Sequence, residues 1–229
     1  MDSEVYSILN KNWKSTSRIL FGEELGELKD YKNWLLEYTK ALRTEKSAVS
    51  GNDVSLASTE YCKTAKFERL EEVNFGKKFE PLSLNEMKDI ESIIEAVQER
   101  VYYTGSIVLG NSKFVEHGTN VSDSFYVYES ADIDASEYVA YSSLLKWGKW
   151  AFGYSFGGEL NCVVKGFNAG RVQRGFEFTQ LDKCADIYYG AALEGCNDCM
   201  YCFNIKGKRN CIGNLELPKE KYLELKKKI

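Results

Sequence analysis

The sequence predicts an α+β chain: a helical amino-terminal region, then a β-solenoid with a three-residue inward register, closed by a carboxy-terminal helix. Two observations carry this. Every third residue from Tyr103 to Ile205 is apolar or small and none of these positions is charged, although nineteen charged residues lie in the same stretch. The slots also alternate for much of their length between aliphatic and tiny side chains: Leu109, Ser112, Val115, Gly118, Val121, Ser124, Val127, Ser130, Ile133, Ser136, Val139, Ser142, Leu145. Charges scattered at random over three phases would all avoid some one phase in only about one case in a thousand, so the register is a true repeat.

Residues 1–102 lack the threefold pattern and read as mainly helical, packing on or capping the solenoid. Tyr31, Trp34, Leu35, Tyr38 and Leu42 recur at spacings of three and four, as a helix burying one stripe requires, and Val5, Ile8 and Leu9 do so more briefly. After Pro81, Ser83 and Glu86 form a capping-box pattern. Ile90, Ile93, Ile94, Val97 and Val101 follow on one face. Between these parts Gly51, Asn52 and Asp53 mark a turn, and Val54 to Ala57 read as a short strand. Residues 103–214 form the solenoid, and 215–229, opened by Pro218 and rich in Glu, Lys and Leu, form the closing helix.

A strand alternates faces every two residues and a helix every 3.6, so a period of three requires a chain that keeps turning. If each triplet holds an extended piece and a bend, the slot residue points inward each time and the coils stack at the ordinary strand spacing of about 4.8 Å. Coils of about 18 to 24 residues, as in known solenoids, would give about five turns. Aliphatic slots then form apolar columns. Serine and glycine slots suit tight corners, where a buried hydroxyl must find a partner or cost about 1–3 kcal/mol.

The function classes narrow by composition. A net charge of −4 argues against a chain-wide nucleic-acid footprint. No apolar run is long enough to span a bilayer, and the amino terminus lacks the plan of a signal peptide, which points to the cytoplasm. Cys196, Cys199 and Cys202 form C-x2-C-x2-C, and Cys211 follows; four thiolates so spaced suit zinc or an iron–sulfur cluster. The same cysteines all fall on slots, however, so the register produces the spacing by itself and buried small residues are the competing reading. His117 is the only histidine, far in sequence from any cysteine, so no thiol nucleophile with its base is apparent.

The segment CNDCMYCFNIKGKRNCIGNLELPKEKYLELK, with YYTGSIVLGNSKFVE and NVSDSFYVY before it, resembles an uncharacterised family of archaeal proteins with cysteine-containing triplets ahead of a similar ending. The resemblance implies a stacked solenoid between helical ends; the family has no established activity, so it supplies no site residue. The left-handed hexapeptide helix is a different repeat, because its small residue lies two positions before the aliphatic one and not three.

Between slots lie many aromatics. Tyr126, Tyr128, Tyr138, Tyr141, Trp147 and Trp150 would make a partner surface if left bare, or a bed for the amino-terminal helices if covered. Lys165 with Arg171 and Arg174 could hold an anion, and Asp132 with Asp134, or Asp182 with Asp186, could serve a glycoside hydrolase. The sequence therefore favours a non-enzymatic scaffold or protein-interaction module, binding a protein partner or assembling as a homo-oligomer. A metal protein using the four cysteines is the alternative.

Overall fold

A computed structural model of the chain describes residues 3–40, 42–153, 158, 161–168, 170–178, 181, 182, 185, 187, 188, 190, 193–195 and 197–229. Its centre is a parallel β-solenoid of about seven turns between an amino-terminal and a carboxy-terminal helix. The first coils run through β4 (Tyr102–Gly105), β5 (Val108–Leu109), β6 (Lys113–Glu116), β7 (Thr119–Ser122), β8 (Phe125–Tyr128), β9 (Ala131–Asp134), β10 (Glu137–Ala140), β11 (Ser143–Lys146) and β12 (Lys149–Phe152). Even-numbered strands from β6 to β12 form one parallel sheet, and β5, β7, β9 and β11 form the other. From β6 onward parallel partners are twelve apart, as in Val115 with Val127 and Val121 with Ile133; β5 pairs with β7 thirteen apart, so the expected slot Leu109 falls out of the inward register and is exposed. The coil is therefore twelve residues, four triplets in two strands and two corners, and not the 18 to 24 expected.

The flattened coil explains the alternation of slots. Aliphatic slots sit on strands and stack as the core columns containing Val127, Val139 and Ala151 on one sheet, and Val121, Ile133 and Leu145 on the other. Small slots sit at the corners. There Ser124, Ser130, Ser136 and Ser142 each donate a hydroxyl hydrogen bond to the carbonyl two residues back, at 2.7–2.9 Å. Ser112, Ser124, Ser130 and Ser136 also accept from the backbone N–H one coil ahead, at 3.0–3.1 Å. Each corner hydroxyl thus replaces the backbone pairing that the bend interrupts, so burying it carries no unpaired group.

The turning itself comes from backbone conformation. From Phe114 to Gly153 every third residue, the one just before each slot, has a positive φ of 40–68°. The left-handed region is disfavoured for any residue with a Cβ and most of all for β-branched ones. Correspondingly, no Val, Ile or Thr occurs in this phase from Asn111 to Gly213, while Asn, Asp and Gly recur in it.

The core continues through Val163, Val172, Phe178 and Ile187 to Cys199, Cys202 and Cys211. Short strands β13 (Leu181–Asp182) and β14 (Leu193–Glu194) pair in parallel, as do β15 (Asn197–Met200) and β16 (Arg209–Ile212). The stack then ends in a reversal: β17 (Leu215–Glu216) pairs antiparallel with β16 and covers its edge. The closing helix α4 (Lys219–Lys226) starts after Pro218 and seats its buried Tyr222 against Tyr188, Met200 and Ile212.

Helix α1 (Glu4–Phe21) is capped by Ser3, whose side chain accepts from the Tyr6 amide, and ends at Gly22 in the left-handed conformation. It buries Val5, Tyr6, Leu9, Trp13 and Leu20 against the solenoid. The expected helix over Tyr31–Leu42 is instead broken: a 3-10 turn (Leu28–Tyr31), one helical turn α2 (Lys32–Leu35) and a second 3-10 turn (Leu36–Tyr38). Leu28, Leu35 and Trp34 still reach the core, so the stripe is used without a continuous helix.

The region is also less helical than expected. A hairpin of β1 (Arg43–Lys46) and β2 (Asp53–Leu56) is followed by β3 (Lys66–Arg69), which pairs in parallel with β4 in a two-stranded sheet of its own. The Ser83–Glu86 capping box is present on a 3-10 turn, and Asp89 then caps α3 (Ile90–Arg100) by accepting from the Ser92 amide at 2.8 Å.

Candidate functional site

The residues singled out from the sequence fall mainly on a cysteine column and an aromatic face, and a further surface emerges from the structure. The first is the cysteine column. Cys199, Cys202 and Cys211 are buried in the solenoid core. Cys199 pairs with Cys211 across β15 and β16, and Ile187 bridges to Cys199 below it, so these two thiols continue an aliphatic column. Cys202 stands at a corner: its thiol donates to the Met200 carbonyl at 3.2 Å and accepts from the Asn214 amide at 3.4 Å. That is the serine pattern of the earlier coils with sulfur in place of oxygen. Burial pushes the Cys211 thiol above its ordinary pKa. Lys208, adjacent in sequence to the cluster, is paired with Glu216 at 2.9 Å. Cys196 lies outside the described residues. Among the described residues no group of three or more His, Cys, Asp or Glu side chains is arranged to hold a metal ion.

The second surface is aromatic. Phe114, Tyr126, Tyr138 and Trp150, twelve apart, form a ladder with ring separations of 4.7, 5.1 and 5.6 Å, the first two pairs nearly parallel. Each ladder residue is one of the left-handed positions, so the conformation that turns the chain also projects these rings in register. Beside the ladder runs a second column with the same spacing, including Tyr128, Ala140, Phe152 and Val164. Helix α1 lies on it: Tyr6 meets Tyr128 at 5.5 Å and Trp13 meets Phe152 at 5.5 Å. Phe21 reaches Phe176, twelve beyond Val164, at 4.8 Å. Tyr141 is buried beneath α1, with Lys32 over its ring at 5.6 Å. Trp147 stands apart and exposed, with Lys146 over its ring at 4.9 Å.

The charged candidates are tied into the repeat. Asp132 accepts from Asn120, twelve residues away, at 2.8 Å. Asp134 accepts from Ser122, also twelve away, at 2.7 Å and pairs with Lys146 at 3.0 Å; the Ser122 hydroxyl and Lys146 together hold its carboxyl below the ordinary range. The side chains of Asp182 and Asp186 lie outside the described residues. Lys165 is buried, pairing with Glu177 at 2.8 Å and with Glu37, while Trp34 and Tyr38 rings flank its ammonium at 5.1 and 4.6 Å. It pins the helical segment to the solenoid. Arg171 and Arg174 are exposed. His117 touches Tyr128 edge-on at 5.7 Å and lines a small 190 Å³ recess with Asp53, Arg69 and Glu116.

The third surface was not singled out from the sequence. At the amino-terminal cap a cleft of about 810 Å³ opens between α3 and the loop before it, lined by Val49, Val73, Phe79, Leu82, Val97 and Tyr102 among others, with Glu68, Glu72, Lys77 and Arg100 at its polar positions. The apolar stripe of α3 flanks it uncovered: Ile90, Ile93, Ile94, Val97 and Val101 are 36–66% exposed. Phe75, Phe79, Leu84 and Met87, in the approach to α3, are exposed as well. Scattered single apolar residues are ordinary on a protein surface, whereas here they are gathered on one helix and the segment leading to it. The signal for it was the stripe itself, which shows that a helix needs a partner without showing whether the chain supplies one. Comparison with protein-family models, with curated proteins and with solved structures finds no match for this chain.

Proposed function

We propose that this chain is a non-enzymatic β-solenoid scaffold that works by binding protein, with the amino-terminal cap as its docking end. The observation that carries the reading is the bare stripe of α3 beside an 810 Å³ apolar cleft. The surrounding chemistry supports it. Asp132, Asp134, the Cys202 thiol and the buried Lys165 are each engaged with a residue twelve away along the solenoid axis, which is what a rigid rod presenting a surface at its end requires.

A photoreactive residue at position 94 tests the reading in lysate of the native source, with position 135, exposed on the solenoid, as control. Adducts specific to position 94 and abolished by Val97→Asp are expected. Equal labelling at both positions, or none at 94, refutes it.

A further inference from the structure

We infer that the occupant of the α3 stripe is the carboxy-terminal end of a second copy of this chain, so that copies join head to tail. This rests on the docking role proposed above and adds the identity of the partner. The two ends of the stack are unlike in charge and alike in being apolar. On and just before α3, the acidic Asp89, Glu91, Glu95 and Glu99 outnumber the one exposed Lys88, while Arg100 is already engaged with Glu86 at 2.6 Å. At the other end α4 and the residues after it carry Lys219, Lys221, Lys226, Lys227 and Lys228 against only Glu220 and Glu224, and although Lys221 and Lys228 both pair with Glu224 the balance stays basic. Exposed Leu215, Leu223 and Ile229 lie among those lysines.

Two copies of α3 do not suit one another. An antiparallel pair centred on the helix would set Glu91 against Glu99 and Glu95 against its own copy, and like charges across a small contact are unfavourable. A basic end bearing Leu223 and Ile229 meets the same stripe with opposite charge. Because head and tail differ, the contact is heterologous: one use leaves a free head and a free tail, and repetition gives an open chain of copies.

Sedimentation velocity on the full chain tests this. Wild type is expected to grow with concentration and to shrink in high salt, since the complementarity is electrostatic as well as apolar. Val97→Asp breaks the head, and Leu223→Asp with Lys227→Glu breaks the tail; each alone is expected to weaken association at least about tenfold. An equimolar mixture of the two broken forms should give a one-to-one dimer and nothing larger, because only one good head and one good tail remain. All these positions are exposed; circular dichroism checks each fold. Should an apolar replacement disturb it, Glu95→Lys and Lys227→Glu test the contact by charge exchange: each alone associates less than wild type, and the mixture, complementary at both contacts, is expected to regain open chains of alternating copies.

A monomeric wild type, a broken form that still dimerises alone, or a mixture that stays monomeric overturns the inference. If wild type is monomeric while position 94 still labels a foreign protein, the docking role stands and the head-to-tail contact falls. If neither occurs, both fall.

Discussion

Replacing Ser136 by Ala removes one hydroxyl from a corner column and leaves everything else in place. The hydroxyl donates to the Asp134 carbonyl at 2.8 Å and accepts from the Gly148 amide at 3.0 Å, in a residue that is 1% exposed. The Asp134 carbonyl keeps a second donor, the Trp147 amide at 3.1 Å. The Gly148 N–H loses its acceptor. An orphaned buried donor costs about 1–3 kcal/mol, so Ser136→Ala should destabilise the solenoid by about 2 kcal/mol. Ser136→Cys should cost less, because Cys202 already performs both roles at the equivalent corner. Urea unfolding gives the global change, and NMR-detected hydrogen exchange reads the Gly148 amide directly. A loss below about 0.5 kcal/mol together with unchanged Gly148 exchange would refute the claim that corner hydroxyls substitute for backbone pairing.

Ala135 is exposed with φ of 46°, so Ala135→Val tests the left-handed phase without touching the core; a loss of about 1–2 kcal/mol is expected by thermal unfolding, and no loss would sink the conformational argument. Burial, with Glu129 and Glu116 nearby, pushes Tyr128 up to about 12, and burial raises Tyr141 as well. Between pH 10 and 12 the unfolded chain has lost protons that the native chain keeps, so stability should fall as pH rises, by up to about 1.4 kcal/mol per unit for each tyrosine. A urea midpoint that stays level from pH 10 to 11.5 contradicts this. Cys199, Cys202 and Cys211 should resist a thiol reagent until the chain unfolds, and mass mapping that finds them modified as fast as half-buried Cys62 would place them outside the core.

The uncharged slots made the solenoid and its inward column readable from the sequence, because a buried row tolerates no unpaired charge, although two of the earliest, Tyr103 and Leu109, are exposed. The coil length was present too, in the twelve-residue spacing of Phe114, Tyr126, Tyr138 and Trp150 and of Cys199 and Cys211. It was missed because a threefold register repeats at every multiple of three, and only the lateral pairing singles out twelve. The phase without Val, Ile or Thr was equally legible and carries the reason that the chain turns. The cysteines illustrate the opposite limit: C-x2-C spacing is shared by metal ligands and by slots, and the hydrogen bonds of Cys202 show how a slot thiol is used.

Residue order alone determined where the core lies and that the chain coils, since side-chain charge, size and tolerance of positive φ are local properties that repeat with the backbone. Coverage is a matter of which surfaces meet, and only the tertiary structure decided it. Helices α1 and α3 both carry apolar stripes, yet α1 lies on the column of Tyr128 and Phe152 while α3 stands uncovered at the end of the stack. Amphipathicity sets how much surface a helix must hide. The chain's path sets whether it can be hidden within one molecule.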